Sequence, residues 1–405
     1  MKVLMFGWEF PPFKSGGLGT ACHDLAKGLS RQGANITFIM PHAPLNAGSD
    51  FVKIIGCNNL SDRIKVRKIG SILQPYMTSE SYAHTLNKAP RTSGSSQNYG
   101  RQLNEEVERY AEAARFIAED EDFDVIHAHD WMTYQAGINA REVSGKPLVV
   151  HIHATEFDRT AGNPNSCISY MEYKGLYHAD KVIANSNFTK QNVINHYNIN
   201  PEKIEVVHWG LDTDNQAFYS NFESKIKDEK IVLSLGRITV QKGVDYLVKT
   251  ARKVLEHEKK VKFVVVGEGH MLPQIIDMTV EYGISDNFIF TGWMSGDDVY
   301  KAFKMADIFV MPSVSEPFGL VAIEAMKCGT PVITSKTSGA SEVMNNVFKV
   351  DFWDTDRMAN QIISLIRYSE LDEEMSDNCI RESSKFNLEE PAGKCMEIYR
   401  KVLSW

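Results

Sequence analysis

The sequence predicts an α/β protein built from two doubly wound domains. Short apolar runs alternate with helix-length amphipathic stretches from one end of the chain to the other. Several of these runs, such as residues 263–266, are continuously apolar, which is typical of parallel strands covered on both faces. Strand–helix alternation of this kind favours a doubly wound fold. Because the strands form two series, each series is assigned to its own domain.

The individual elements follow from this alternation in order along the chain. The first series of strands is predicted at residues 2–6, 35–40, 124–128, 147–151, 180–184 and 204–207, and the second at 230–235, 261–266, 287–291, 307–311 and 330–333. Helical periodicity predicts helices between them, including 18–32, 243–258 and 319–328. The polar, Gly/Ser-rich region 41–100 is predicted to be a long mobile loop, which often belongs to a site or a lid.

The gap between the two series of strands predicts the domain boundary. An N-terminal domain is predicted over 1–208, a linker over 209–229 and a C-terminal domain over 230–386. Two domains agree with a prior of ~100–200 residues per domain for a chain of 405 residues.

Composition excludes several classes of protein. The formal net charge of -8 argues against a nucleic-acid partner, which requires excess Lys and Arg. The six cysteines lie far apart in the sequence, as expected for reduced thiols in the cytoplasm. No apolar stretch approaches the ~20 residues of a membrane helix. We therefore predict a cytoplasmic protein without an integral membrane span, while peripheral membrane contact and the oligomeric state stay open.

The sharpest candidate site is the segment 315–326, which follows a predicted strand. Pro317 and Gly319 mark a tight turn, so a helix should begin near Gly319 and offer its first N–H groups to phosphate oxygens. The residues at this helix start are Phe318, Gly319, Leu320 and Val321. Glu324 lies ~7 Å further along the axis and could accept ribose hydroxyls, whereas Glu316 lies on the other side, where a sugar could be held. Isolated glutamates are usually solvated, but the carboxyl end of a strand is where α/β sheets bind ligands.

A cationic segment precedes this site in the same domain. Gly236 ends a predicted strand, Arg237 follows it, and Lys242 comes just before the next helix. In a loop such cations are usually surface charges. At the rim of one sheet they could neutralise a departing diphosphate in place of a metal ion.

A glycine-rich loop follows the first predicted strand and contains Lys14, Gly16 and Gly17. Glycines let the backbone approach a ligand and point N–H groups at phosphate or sugar. The loop is not a Walker sequence, and neither it nor residues 267–269 has the spacing of a dinucleotide fingerprint, so NAD binding is disfavoured.

Histidines occur in two pairs, His127 with His129 and His151 with His153, each at the end of a predicted strand. This spacing puts both rings of a pair on one face of a strand, which raises the question of a metal site. No local set of cysteines or carboxylates completes a site around the second pair, so we predict no metal. One member of each pair is instead expected to face the interdomain cleft and position substrate, and the others to be buried structural histidines.

Together these motifs resemble the retaining glycosyltransferases of family four and the related glycogen and starch synthases, over nearly the whole chain. The segments that carry the resemblance are Lys14-Ser15-Gly16-Gly17-Leu18, similar to the Lys-x-Gly-Gly-Leu element of glycogen synthases; His129-Asp130-Trp131; Gly236-Arg237 with Lys242-Gly243; and Glu316 to Glu324. The resemblance implies a GT-B fold, in which two Rossmann-like domains face a central cleft. It also implies that a last helix, within 387–405, packs back on the first domain.

The resemblance implies roles for individual residues. In the C-terminal domain, Arg237 and Lys242 would contact the diphosphate, Glu324 the ribose and Glu316 the donor sugar, while Gly292, Trp293 and Met294 would border the base. In the N-terminal domain, Gly16 and Gly17 would approach the donor through their backbone, His153 would lie near the reacting sugar and Asp130 near the acceptor. Residues 154–159 and 338–342 depart from the usual synthase pattern, which leaves the acceptor and the donor sugar open.

The reaction expected from this resemblance is hexosyl transfer with retention. Glucose would pass from ADP-glucose or UDP-glucose to an α-glucan, with no cofactor. Departure of the diphosphate would leave an oxocarbenium-like sugar, and the acceptor would attack from the same face.

Four alternatives stay open at this point. A family-four transferase of surface polysaccharide or glycolipid assembly would use another glycan or lipid-linked acceptor. A glycoside hydrolase would use paired carboxylates and no nucleotide. A nucleotide-sugar epimerase would turn over without acceptor, and a sensing module would bind the donor and transfer nothing.

Overall fold

The computed structural model describes residues 1–11, 17–43, 48–57, 99–212, 214, 218 and 229–404. The chain divides into two compact units, one formed by Met1–Gly210 with Leu388–Trp405 and the other by Leu211–Asn387. Of the predicted linker 209–229, residues 213, 215–217 and 219–228 lie outside the described part of the chain.

The described strands all belong to one of two sheets. They are β1 Lys2–Phe6, β2 Asn35–Met40, β3 Gly48–Ser49, β4 Val52–Gly56, β5 Val125–His129, β6 Leu148–Ile152, β7 Lys181–Ala184, β8 Ile204–Val206, β9 Lys230–Leu235, β10 Val261–Val266, β11 Phe288–Gly292, β12 Ile308–Met311, β13 Val332–Ser335 and β14 Phe348–Val350.

The described α-helices connect these strands and close the chain. They are α1 Gly17–Arg31, α2 Tyr99–Asp120, α3 Trp131–Ser144, α4 Glu156–Arg159, α5 Ser166–His178, α6 Asn187–Tyr197, α7 Val244–His257, α8 Leu272–Glu281, α9 Asp297–Met305, α10 Leu320–Lys327, α11 Thr355–Arg367, α12 Ser369–Ser383 and α13 Glu389–Leu403.

The first unit is built on a sheet with the strand order β3-β4-β2-β1-β5-β6-β7-β8. All neighbours pair in parallel except β3 and β4. Alternate residues of β1 enter different cores, because successive side chains point to opposite faces of a sheet. Leu4 and Phe6 pack in a cluster with residues of α2, α3, α5 and α6. Val3 and Met5 pack in a second cluster with residues of α1 and α13.

The second unit contains a parallel sheet with the strand order β11-β10-β9-β12-β13-β14. Its first strand, β9, lies between β10 and β12. Strands β10 and β11 are added on one side of β9 and strands β12 to β14 on the other, so the strand order reverses at β9. Val232 and Phe263 of the sheet share a buried cluster with Leu247 of α7 and Ile362 of α11. The predicted fold class, two doubly wound α/β halves, is confirmed.

Two local predictions are wrong. The strand predicted at 330–333 begins only at Val332, because the N–H of Thr330 donates to the carbonyl of Ala325 in the turn that follows α10. The region 41–100 is not a loop at its ends: β4 pairs in parallel with β2 at the sheet edge, and α2 begins at Tyr99. The prediction for residues 58–98 lies outside the described residues. The short edge strand β14 was not predicted.

Among the helices that the structure describes, none has the length and apolar character that crossing a bilayer requires.

Candidate active site

A pocket open to solvent lies at the carboxyl ends of β9 and β12. These strands are neighbours at the point where the strand order reverses, which is where open α/β sheets bind ligands. Most of the lining residues come from these two strand ends and the loops that follow them, joined by Val265 of β10 and Val244 at the start of α7. They are Ser234, Leu235, Gly236, Arg237, Lys242, Val244, Val265, Met311, Pro312, Ser313 and Glu316. Four predicted donor residues are therefore brought together here: Gly236, Arg237, Lys242 and Glu316.

Lys242 and Glu316 form an ion pair inside this cavity. The Lys242 side chain is 20% exposed and that of Glu316 is 8% exposed, so both charges are largely removed from water. The Ser313 hydroxyl also donates to Glu316 Oε2 at 3.2 Å. The backbone of Glu316 is fixed on both sides, because its N–H donates to Thr337 and its carbonyl accepts from Gly339. The carboxylate is thus held rigidly at the cavity wall.

Gln241 connects the two loops that carry the charged residues. Its carbonyl accepts the N–H of Val314 at 2.9 Å, and its side-chain Oε1 accepts from Arg237 Nη2 at 3.0 Å. Gly243 follows at a φ of +63°, and a Cβ there would lie 2.2 Å from the carbonyl oxygen of Pro312. Glycine is therefore required for the loop after β9 to pack against the end of β12.

Glycines 267 and 269 are required by close packing between the loops after β9 and β10. A Cβ on Gly267 would lie 2.0 Å from the carbonyl oxygen of Gly236, and one on Gly269 would lie 2.0 Å from that of Ile238. The Ile238 N–H donates to Glu268 at 2.9 Å in the same contact. The loop after β10 thus supports the loop that carries Arg237.

We expect Gly269→Ala to lower the free energy of unfolding by about 1–3 kcal/mol, because the added methyl group displaces the Arg237 loop. Denaturant unfolding of the variant measures this. The matched control is Gly393→Ala in α13, where a Cβ meets only the side chain of Gln32 at 3.6 Å and alanine favours a helix. Equal stability of the two variants would contradict the packing role.

Helix α10 begins one residue after the predicted start. Gly319 caps it at a φ of +105°, in the left-handed region that favours glycine. The carbonyl of the buried Phe318 accepts both the N–H of Ala340 at 2.7 Å and the Ser338 hydroxyl at 2.8 Å. Residues 338–342, which differ from the synthase pattern, therefore hold the turn before the helix in place through these two hydrogen bonds. Along α10, Leu320 is buried while Val321 and Glu324 are partly exposed.

The predicted base-binding residues lie at the end of β11. The carbonyl of Gly292 accepts the N–H of Gly267 at 2.9 Å, which ties this strand end to the loop after β10. Trp293 is 57% exposed and Met294 is partly buried. None of the three lines the cavity of Lys242 and Glu316.

The predicted residues of the first unit meet around two strand ends. Asp130, just after β5, is 3% exposed, and its Oδ1 accepts the N–H of His153 at 2.8 Å. Its backbone is strained, at φ +60° and ψ 167°, a conformation that costs a non-glycine residue about 1–3 kcal/mol and is typical of functional sites. Gly17 is the first residue of α1, whereas Lys14 and Gly16 lie outside the described residues.

All four paired histidines are buried, His153 among them at 2% exposure. Burial lowers the pKa of His129 to about 3, and burial together with neighbouring imidazoles lowers the pKa of His127, His151 and His153 well below the usual range. The four rings are therefore neutral at pH 7. His129 Nδ1 and His153 Nε2 are hydrogen-bonded at 2.8 Å.

The second departure from the synthase pattern, residues 154–159, is a buried ion-pair network. Arg159 contacts Glu156 and Glu172, and its Nη1 donates to the carbonyl of Ala154 at 2.8 Å. Glu172 also accepts from the Tyr197 hydroxyl and from the N–H of Glu156. The network fixes the backbone directly after His153. Nothing local in the sequence indicates that residues of α5 and α6 take part.

Two family models match the chain. "Glycosyltransferase Family 4" matches residues 15–215, and "Glycosyl transferases group 1" matches residues 215–383. An uncharacterized glycosyltransferase of Methanocaldococcus jannaschii is 32% identical over 85% of this chain and 83% of its own length. A D-inositol 3-phosphate glycosyltransferase of Mycobacterium sp. is 31% identical over 54% of this chain and 52% of its own. A glycogen synthase of Mycobacterium tuberculosis is 25% identical over 85% and 80%.

Two solved structures share the fold over essentially the whole chain. The sucrose-phosphate synthase from Thermosynechococcus elongatus superposes with a TM-score of 0.75 at 20% identity, covering 100% of this chain and 99% of its own. The catalytic domain of starch synthase IV from Arabidopsis thaliana, bound to ADP and acarbose, gives 0.72 at 16% identity, covering 100% and 99%.

Proposed function

The chain belongs to the GT-B glycosyltransferases that resemble glycogen and starch synthases, and we propose that it transfers a hexose from a nucleoside diphosphate sugar to an acceptor hydroxyl with retention. One observation carries this proposal. The cavity at the reversal point of the second sheet holds two cations, Arg237 and Lys242, with a fixed carboxylate, Glu316. Two positive charges beside one negative charge suit a ligand with a diphosphate and a hydroxyl-rich sugar.

The proposed roles follow from charge and position. Arg237 and Lys242 bind the diphosphate and stabilise the negative charge that grows on it as the bond to the sugar breaks. Glu316 holds the Lys242 ammonium and accepts hydrogen bonds from the donor sugar. Glu324, partly exposed on α10, accepts from the ribose hydroxyls.

The start of α10 contributes a favourable dipole for the diphosphate. The main-chain groups of Phe318, Gly319, Leu320 and Val321 lie at this helix start. The end of β11, with Gly292, Trp293 and Met294, borders the base.

For the acceptor side we propose Asp130 and His153. The sugar is oxocarbenium-like in the transition state, and the acceptor oxygen attacks the face that the phosphate leaves. A phosphate oxygen takes the acceptor proton, so the protein supplies no covalent nucleophile. We propose that this chemistry takes place in the cytoplasm.

The donor and acceptor we propose first are ADP-glucose or UDP-glucose and an α-glucan. Similarity to a glycogen synthase over most of both chains supports this choice. A smaller or lipid-linked acceptor is the second candidate, supported by the D-inositol 3-phosphate glycosyltransferase relative.

A donor-by-acceptor assay tests the proposal. Radiolabelled ADP-glucose and UDP-glucose are each offered with glycogen, with malto-oligosaccharides, with D-inositol 3-phosphate and with no acceptor. We expect acceptor-dependent label in an α-linked product, and Arg237→Ala should lower kcat/KM by about 10²-fold or more. Label only in D-inositol 3-phosphate would replace the glucan proposal by the second candidate.

The same assay separates the other classes. A hydrolase would release glucose from α-glucan without nucleotide, and an epimerase would convert the donor without acceptor. Donor binding that Arg237→Ala weakens, with no turnover of any pair, would indicate a sensing module. An inverted anomer in the product would contradict retention.

A further inference from the structure

Four histidines stack on one face of the first sheet. His127 and His129 project from β5, His151 lies on β6 beside His129 in register, and His153 follows two residues later. Neighbouring ring centroids lie 4.2–5.5 Å apart. This is the face covered by α1 and α13, where the histidines lie beside a cluster of buried hydrophobic residues.

Most of the imidazole nitrogens in this stack have no hydrogen-bond partner within the described residues. These atoms are His127 Nε2, His129 Nε2, both nitrogens of His151 and His153 Nδ1. A buried polar atom without a partner costs about 1–3 kcal/mol, so a cluster of them calls for an occupant such as an ion or water. An imidazole nitrogen that carries no proton offers a lone pair to a cation.

The partnered nitrogens are those expected of an outer shell around a metal. His127 Nδ1 is hydrogen-bonded to the Tyr399 hydroxyl at 2.6 Å, and His129 Nδ1 to His153 Nε2 at 2.8 Å. In metal sites a histidine typically ligates through one nitrogen while the other is held by such a partner. Both histidines thus have Nδ1 held and Nε2 free of partners on the same side of the sheet.

We propose that His127, His129 and His151 bind a divalent transition-metal ion of the zinc class. Their ligating atoms lie within 4.8 Å of one another. Two nitrogens around a tetrahedral zinc are separated by about 3.4 Å, given Zn–N bonds of ~2.0–2.1 Å. The rings of His127 and His151 are nearly parallel, 4° apart, so ligation requires them to turn out of the stack until their nitrogens converge on one ion. Imidazole is a preferred ligand of this class of ion. This departs from the sequence-based expectation of no metal, which considered each pair of histidines separately.

A metal here acts on the site through His129. Ligation at Nε2 leaves the proton of His129 on Nδ1, so this nitrogen donates to His153 Nε2 and fixes the His153 ring. His127 likewise donates to Tyr399, which ties the site to the last helix, α13. The ion is a positioning element for His153 and takes no part in breaking the sugar–phosphate bond.

A second set, Cys22 with His129 and His153, also lies within 4.8 Å. It is the second choice, because it leaves the unpartnered nitrogens of both His127 and His151 without an occupant. The two sets differ in one testable respect, their dependence on Cys22.

Cobalt(II) is the probe, because its visible absorption reports ligand number and geometry. The full chain, freed of metal with a chelator and of any affinity tag, is titrated with CoCl2 and followed by absorption and by thermal unfolding. We expect one Co2+ per chain with a tetrahedral spectrum, and a melting temperature that rises with Co2+ concentration. His151→Asn should lose both responses, and Cys22→Ser should keep both.

Tyr399→Phe keeps the packing of α13 and removes only the outer hydrogen bond, so it decides the question if His151→Asn does not fold. We expect it to weaken Co2+ binding about 10–100-fold. Wild-type protein that binds no stoichiometric Co2+ would overturn the proposal. So would unchanged binding by His151→Asn, loss of binding in Cys22→Ser, or unchanged affinity in Tyr399→Phe.

Discussion

Replacing Lys242 with methionine is expected to lower kcat for sugar transfer by about 10²–10³-fold, the usual loss when one group that stabilises developing negative charge is removed. The Lys242 side chain is only 20% exposed and lines the same cavity as Arg237. There its charge acts on the departing phosphate with little screening by water. Methionine retains an unbranched apolar side chain but cannot neutralise the diphosphate.

Steady-state kinetics of Lys242→Met, with the donor found in the acceptor assay, measures this loss. The control is Lys253→Met, which removes an α7 lysine paired with Asp356 at the surface. An exposed pair of this kind contributes little, so the control should keep the wild-type kcat. Equal kcat values for Lys242→Met and Lys253→Met would show that the Lys242 charge does not contribute to catalysis.

Glu316→Gln completes the test because Glu316 holds the ammonium in place. If the two side chains act as a unit, the double variant should lose no more activity than the worse single variant. Independent, additive losses would show that the carboxylate acts on the sugar alone.

The fold was predictable because parallel strands covered on both faces leave a strong signal. Runs such as residues 263–266 are apolar at successive positions, and the structure places them in β10, an inner strand of the second sheet. Edge strands leave less signal. Strand β4 is only partly buried along its length and β14 has three residues, so their patterns were not distinguished from loops.

The charged cavity was predictable in its parts because each residue follows a recognisable strand end. Gln241 and Ser313, which organise Arg237 and Glu316, have no sequence signal, since each is an ordinary polar residue in a loop. Long-range partners were also inaccessible to sequence reasoning. Tyr399 lies 272 residues from His127, and only the packing of α13 on the first sheet brings them together.

Replacing Arg159 with methionine is expected to lower the free energy of unfolding by about 3–5 kcal/mol, because it leaves buried carboxylates without their cation. Arg159, Glu156 and Glu172 are each no more than 4% exposed at their side chains. Denaturant unfolding at pH 8 measures this loss. Lys190→Met on α6, whose ammonium donates only to the carbonyl of Ile204, is the control and should cost much less.

The pH dependence of unfolding distinguishes this electrostatic cause from loss of packing. Burial raises the pKa of Glu172 from 4.5 to about 7 even though Arg159 and the Tyr197 hydroxyl lower it. The folded chain therefore binds more protons than the unfolded chain between these values. The contribution of Glu172 to stability is fully present below pH 4.5 and is lost as the pH rises through about 7. Glu172→Gln should abolish this part of the pH dependence.

Arg159→Met should make the free energy of unfolding depend more steeply on pH. Without the Arg159 cation, the buried Glu172 carboxyl is tolerated only when it is protonated. The difference in free energy of unfolding between wild type and Arg159→Met is then largest at pH 8 and becomes smaller towards pH 5. A deficit that is constant with pH would mean that Arg159 stabilises the segment after His153 by packing alone. In that case the Arg159–Glu156–Glu172 network would hold the chain after His153 in position by packing, and not through a buried charge.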